Sequence, residues 1–352
     1  MGPGAGVVRV TAAEMVRLKV ACLQTNPVHG DPASGMRTAD EHLARLTRDD
    51  GVHILLLPEM AFSGYCFDDV ADVSRVAETD DGPTMRWCAK HAVRLGCTVL
   101  CGYPRRVSGA KTQNKGVADA DADADADALY NALVAVGPDG NTLTHYHKSF
   151  LYVVDKTWAT EGSGFVCVDV PVRNASFGDE RGRRAETSVS DALTRVRATL
   201  GVCMDINPRE FEAPWEAYEL ATAVKAHASS LVLFASAWTN NHPDDDPATV
   251  TPVNPREVMT YWLNRLAPLV GAGAPRAVHF VCANRVGEER GITFTGCSCV
   301  MSLREPRIVE ALGATQEGLL LAEMDVQEWR GEGEGEAGGR GGDGGDSAAE
   351  RL

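Results

Sequence analysis

Gly51-Val52-His53-Ile54-Leu55-Leu56-Leu57-Pro58-Glu59-Met60 holds an apolar run closed at one end by glycine and at the other by proline. The run is too short for an ordinary helix and does not alternate, which is the pattern of a strand buried on both faces. Pro58 stops it, leaving Glu59 at the carboxyl end of a buried strand.

Working outward, residues 18–24 (Leu-Lys-Val-Ala-Cys-Leu-Gln) read as a first strand, and Asn26-Pro27 and Gly30-Asp31-Pro32 lead into a helix ending near Asp49-Asp50-Gly51. Asp81-Gly82-Pro83 opens a second helix that runs to Leu95 and stops at Gly96, and 98–103 returns as a strand. The order so far is β-α-β-α-β. Residues 129–136 and 143–146 flank Pro138-Asp139-Gly140-Asn141, a turn sequence, and form a hairpin with Lys148 just beyond it. Strand 199–203, a helix from Pro214 to about 228 and strand 231–237 follow, then strands at 278–283, 293–301, 308–311 and 318–324. The sum is one layered α/β domain over 15–328, after a flexible N-terminus, 1–14.

Composition narrows the class. The chain has 352 residues, 44% of them apolar, enough for a sizeable core. Its charge of -15 is concentrated. The Ala-Asp run at 118–128 has five Asp, and 331–352 has six acids against two Arg, so these pieces carry -5 and -4 and leave -6 for the rest. The low-complexity insert, 117–128, reads as a solvated loop and 171–197 as a mobile polar excursion, while the Gly/acidic tail 329–352 lacks the apolar surface to order itself. No basic stripe is present, which argues against nucleic acid, and no apolar span reaches membrane length. Ten scattered Cys without a Cys-x-x-Cys pair read as reduced thiols of a cytoplasmic or nuclear protein.

Three positions stand out chemically, because each ends an apolar run: Glu59, Lys148 in His145-Tyr146-His147-Lys148-Ser149-Phe150, and Cys203 in Leu200-Gly201-Val202-Cys203-Met204-Asp205. A thiol, a carboxylate that takes its proton and a cation that holds an oxyanion suffice to attack a carbon–nitrogen bond. Each residue also has a plain structural reading: a buried thiol, a strand-end cap, a surface charge. The carboxyl ends of parallel strands are where α/β sheets place ligands.

The surrounding sequence resembles the nitrilase superfamily of carbon–nitrogen hydrolases over nearly all of 18–325. The resemblance rests on Ala21-Cys22-Leu23-Gln24-Thr25-Asn26-Pro27 with Gly30-Asp31, Leu57-Pro58-Glu59-Met60 with Ser63-Gly64-Tyr65, Lys148-Ser149-Phe150-Leu151-Tyr152, Gly201-Val202-Cys203-Met204-Asp205, and Ala283-Asn284-Arg285-Val286-Gly287 continuing into Gly291-Ile292-Thr293-Phe294-Thr295-Gly296-Cys297-Ser298. It implies an α-β-β-α sandwich of two mixed sheets flanked by helices. It also implies Glu59 as general base, Lys148 as transition-state stabiliser and Cys203 as nucleophile; a backbone N–H near Met204, at the end of the same strand, is placed to share the oxyanion with Lys148.

Cys203-Met204-Asp205-Ile206-Asn207-Pro208 and Phe211-Glu212-Ala213-Pro214-Trp215 are most similar to the protein N-terminal amidase branch. That branch removes the side-chain amide of an N-terminal Asn or Gln, leaving Asp or Glu for the arginylation route to degradation. The resemblance makes protein or peptide N-termini the partners and requires no metal or organic cofactor.

The superfamily often adds a second glutamate after the lysine. Of the nearby acids, Asp155 and Glu161, Glu161 in Trp158-Ala159-Thr160-Glu161-Gly162 is the candidate here. Asp205 is the candidate contact for a substrate ammonium, against the alternative that it caps the turn after its strand. Trp238 and Tyr65 are candidate pocket walls. Rival readings are a hydrolase of free small amides, a non-catalytic binder of N-terminal residues, and a thiol metal site using Cys297-x-Cys299, whose single spacer is short for a zinc pair, with Cys97 or Cys101. The oligomeric state stays open.

Overall fold

The computed structural model describes residues 14–109, 127–173, 193–242, 245–246, 249–274 and 276–330. The N-terminal stretch before Glu14, the Ala-Asp insert up to residue 126, the middle of the polar excursion (174–192) and the tail from 331 lie outside the described residues.

Two six-stranded mixed sheets make the centre. In the first, β1 (Met15–Gln24), β2 (Ile54–Leu56) and β3 (Thr98–Val107) run parallel. Antiparallel β4 (Ala128–Val136) and β5 (Thr142–His147) continue one edge. The second sheet repeats this plan. Antiparallel β6 (Cys167–Arg173) borders a parallel trio of β7 (Leu193–Val202), β8 (Leu231–Ser236) and β9 (His279–Asn284). Beyond a small hairpin, β10 (Val286–Glu289) and β11 (Ile292–Thr295), β12 (Cys299–Ser302) and β13 (Arg307–Ala311) close that sheet. β14 (Gly318–Gln327) crosses back to pair with β1 over its whole length.

The two sheets share one apolar layer. Leu18, Val20, Ile54, Leu56 and Leu133 from the first meet Val196, Leu200, Leu233, Val281 and Val300 from the second, all buried. Each such side chain contributes about 1.5–3 kcal/mol on leaving water. The opposite faces are covered by helices. α1 (Pro32–His42) and α3 (Pro83–Leu95) bury Ala39, Trp87, Cys88 and Ala92 against the first sheet. α4 (Glu219–Ala226) and α5 (Pro255–Arg265) bury Leu220, Val224, Met259 and Trp262 against the second. A short α2 (Val70–Ser74) lies between β2 and α3. The layers are therefore α-β-β-α, the architecture the resemblance implied.

Several boundaries differ from the sequence reading. The first helix stops at His42, and a separate 3-10 turn follows at Arg48–Asp50. The helix expected from Pro214 starts at Glu219, because Tyr218 takes a left-handed backbone. The single strand expected over 293–301 is two, broken where Cys297 has φ +62°. The excursion is narrower than 171–197, since 171–173 belong to β6 and 193–197 to β7, paired by alternating buried and less buried residues. α5, β6 and β10 were not read from sequence at all.

Candidate active site

Glu59 sits one turn beyond β2, and two features hold that turn. Met60 adopts φ +49°, a left-handed conformation uncommon outside glycine. Gly102 of β3 packs so closely beneath it that a Cβ there would stand 2.6 Å from the Glu59 Cα. Lys148 follows β5 directly, and its carbonyl accepts the Gly162 N–H at 2.9 Å. Cys203 is the first residue past β7, with φ +43°, at the head of a 3-10 turn, Cys203–Ile206. Positive φ at Met60 and Cys203 puts backbone strain of about 1–3 kcal/mol each beside the reactive groups, a common property of functional sites.

The structure brings the three expected residues together, fully buried apart from the edge of Cys203. Lys148 Nζ donates to Glu59 Oε1 at 2.7 Å and to Asp155 Oδ2 at 2.5 Å. Asn131, in the middle of β4, donates through one amide nitrogen to Glu59 Oε1 (2.7 Å) and Asp155 Oδ1 (2.9 Å). The other Glu59 oxygen accepts the Ala237 N–H at 2.8 Å. Asp155 is held further by the Tyr152 N–H (2.9 Å) and the Tyr65 hydroxyl (3.4 Å).

The acid that completes this cluster is thus Asp155, and the choice of Glu161 is corrected. Glu161 lies at the surface in an ion pair with Arg209 at 2.5 Å, while its neighbour Gly162 packs against the His147 and Lys148 carbonyls. Asp205 is likewise corrected. It is fully buried and its oxygens accept the Val202 N–H (2.7 Å), the Ser149 and Phe150 N–H groups (3.1 and 2.8 Å) and the Tyr146 hydroxyl (2.7 Å). It ties the strand end bearing Cys203 to the loop bearing Lys148. Tyr65 stands behind the cluster, its ring 5.7 Å from Lys148 Nζ, and does not line the cavity.

Burial dominates the electrostatics. It raises the Glu59 carboxyl, with Lys148 opposing and Asp155 reinforcing the shift. It works against the Lys148 ammonium, yet Asp155 and Glu59 beside it overcome that and hold it above the ordinary lysine value. Burial, then the charge of Glu59, push the Cys203 thiol well up, while Lys148 and the Ser236 hydroxyl pull it down. The resting thiol is therefore protonated and needs a base, and Glu59 is a buried carboxylate tuned to exchange a proton.

Cys203 opens onto a cavity of about 270 Å³ lined by Tyr152, Met204, Asn207, Phe211, Trp238 and Tyr261, with Ala237 and Thr239. Trp238 is among these lining residues, tilted against Tyr261 at 5.5 Å between ring centres. Tyr152 and Tyr261 were missed. Tyr152 stood within a quoted motif, whereas Tyr261 comes from α5, which gave no readable signal.

Comparison with known proteins places the chain in a family. The chain is 27% identical over 329 residues to the protein N-terminal amidase of Schizosaccharomyces pombe, spanning 88% of this chain and 100% of that protein. It is 27% identical over 243 residues to the protein N-terminal amidase of Saccharomyces cerevisiae, 67% of this chain and 48% of that one. A crystal structure of an N-terminal amidase with an Asn-Glu-Ala peptide shares the fold with a TM-score of 0.71 at 19% identity, covering 90% of this chain and 99% of that one. The model of the carbon-nitrogen hydrolase family matches residues 19–211, more than half of the sequence and all of the Glu59, Lys148 and Cys203 constellation. The chain belongs to the carbon-nitrogen hydrolase family.

Proposed function

We propose that this protein is an N-terminal amidase that hydrolyses the side-chain amide of an N-terminal Asn or Gln to Asp or Glu and releases ammonia. The observation that carries the reading is a thiol lining an open cavity beside a buried carboxylate–ammonium–carboxylate set, Glu59, Lys148 and Asp155. The end-to-end likeness to the S. pombe protein N-terminal amidase supports the choice of substrate.

Glu59 takes the Cys203 proton and the thiolate attacks the amide carbon. Lys148 Nζ and the Met204 N–H stabilise the oxyanion, and Glu59 returns the proton to departing ammonia. Water deprotonated by Glu59 then opens the thioester and frees Cys203. Asp155 and Asn131 hold Lys148 and Glu59 in register through these steps.

With Asp205 committed to the backbone, the substrate's α-ammonium meets the ring faces of Tyr152, Trp238 and Tyr261, an environment that attracts cations. The trailing peptide leaves past Phe211, which is well exposed at the mouth. All ten cysteines are free, in keeping with a cytoplasmic setting, and among the described residues no helix is long and apolar enough to cross a membrane.

The test is ammonia release and product mass on matched short peptides: N-terminal Asn, N-terminal Gln, internal Asn, N-acetylated Asn, with free asparagine and glutamine. Conversion of only the peptides with a free N-terminal Asn or Gln is the expected result. Turnover confined to the free amino acids would move the protein to a small-amide branch.

A further inference from the structure

Ser236 is the last residue of β8 and is completely buried, yet its hydroxyl forms no hydrogen bond of ordinary geometry in the resting protein, although it is close enough to the Cys203 sulfur to favour the ionised thiol. A buried hydroxyl left unpaired costs about 1–3 kcal/mol, so each one in a folded protein calls for an explanation. Its place in the fold supplies one. β7 and β8 are parallel and pair Leu200 with Leu233, Gly201 with Phe234 and Val202 with Ala235. The ladder stops at that pair, and Cys203 and Ser236 follow it on the two neighbouring segments at the same end of the sheet.

The neighbouring residue follows the same logic. Ala237, one position on, gives its N–H to Glu59 Oε2 at 2.8 Å. Lys148 Nζ is already engaged by Glu59 and Asp155, so the ammonium is tied to the carboxylates rather than to the sulfur. The group left over beside the thiol is the Ser236 hydroxyl, which favours the ionised sulfur.

We propose that Ser236 is a further catalytic residue, whose hydroxyl donates a hydrogen bond to the Cys203 thiolate formed when Glu59 removes the thiol proton. The proton moves from Cys203 Sγ to the Glu59 carboxylate, and Ser236 keeps its own throughout. The end of β8 thereby serves both partners of the transfer: the Ala237 N–H on the base and the Ser236 O–H on the nucleophile. When the sulfur forms the thioester its charge is gone and the hydroxyl returns to its unpaired state, so the bond helps the attacking thiolate selectively and not the acyl intermediate.

The test is the pH dependence of Cys203 alkylation by iodoacetamide in the intact protein, mapped to Cys203 by mass spectrometry, in wild type, Ser236→Ala and Ser236→Thr. It needs no substrate, so its result stands apart from whether the enzyme takes N-terminal Asn or another amide. Ser236→Ala is expected to raise the apparent alkylation pKa by about one unit and to lower kcat about ten-fold with little change in KM, the usual worth of a hydrogen bond to a charged group. Ser236→Thr, which retains the hydroxyl, should restore the wild-type profile. An alkylation profile for folded Ser236→Ala that superimposes on wild type would overturn the proposal, whatever its kcat, as would a Ser236→Thr profile displaced as far as that of Ser236→Ala.

Discussion

Two ionic clusters buried among the described residues do opposite things. Glu59, Lys148 and Asp155 adjoin the thiol of Cys203 and its cavity. Arg285 and Glu289 form an equally buried pair at 2.6 Å, with Glu289 also taking the Tyr65 and Cys66 N–H groups and touching the His29 ring. In the first, burial wins and Glu59 is raised toward proton exchange. In the second, burial also pushes upward, but Arg285 and the backbone donors outweigh it and Glu289 is held as a carboxylate. Buried charge alone therefore does not mark a site. A carboxylate with an adjustable proton and a reactive neighbour does, whereas one saturated by donors is a brace.

The comparison breaks most sharply under direct substitution. Cys203→Ala should cost at least about 10⁴-fold in kcat while leaving the melting temperature near wild type, since a nucleophile has no substitute in this mechanism. Glu59→Gln should cost about 10²–10⁴-fold. Glu289→Gln should do the reverse. It strands the Arg285 guanidinium, lowers stability by about 3–5 kcal/mol in a denaturation titration, and spares kcat per folded molecule within a few-fold. Similar kcat losses in Glu59→Gln and Glu289→Gln would erase the distinction.

Asp155→Asn tests the electrostatics inside the first cluster. Loss of one of its two anionic partners should misplace Lys148 and lower kcat about 10–100-fold. Because Glu59 is raised, the acid limb of kcat/KM should lie above the ordinary glutamate range, activity falling as Glu59 takes up a proton. Asp155 is one cause of that rise, so in Asp155→Asn the limb should move to lower pH. A shift to higher pH would contradict the assignment.

Asp205 sharpens the contrast from the structural side. Burial raises its folded pKa to about 7, above the unfolded value of about 3.9. A raised pKa means that its contribution to stability is complete below the unfolded value and is lost as pH climbs through about 7. Thermal melts of wild type across that window should show a decline that Asp205→Asn lacks. The variant should be less stable than wild type at low pH, with KM for peptides of free and blocked N-terminus altered to the same degree. Smallest of all, Glu161→Gln should change kcat less than about two-fold, because an exposed pair such as Glu161–Arg209 contributes about 0–1 kcal/mol.

What could be read in the sequence follows from these physics. Glu59 and Cys203 stand out locally because each is a polar or reactive group at the end of an apolar strand; Lys148 follows β5, Thr-Leu-Thr-His-Tyr-His, which is mostly polar, and it is the family resemblance of the surrounding motifs that joins the three. Asp155 is buried only by tertiary structure: it sits in a 3-10 turn, Asp155–Thr157, and becomes part of the site through Lys148, Asn131 and Tyr65 from distant segments. Spacing from the lysine offered no way to prefer it over Glu161. Asn131 and Ser236 did leave a trace, as polar residues interrupting the apolar strands Leu129 to Val136 and Leu231 to Ala237, and the trace was missed. The central strands were legible from continuous hydrophobicity between Gly and Pro. The edge strand β6 was not, because its outer face is only half-buried and carries Asp169, Pro171 and Arg173 between the buried valines.

Acid-quenched mass spectrometry of the wild-type enzyme, mixed briefly with excess peptide beginning with Asn and then digested, tests the central claim most directly. The account predicts that the fragment containing Cys203 gains the mass of the substrate peptide less ammonia, and that this species disappears on longer incubation without fresh substrate. Ammonia release under the same conditions with Cys203 never modified would contradict it.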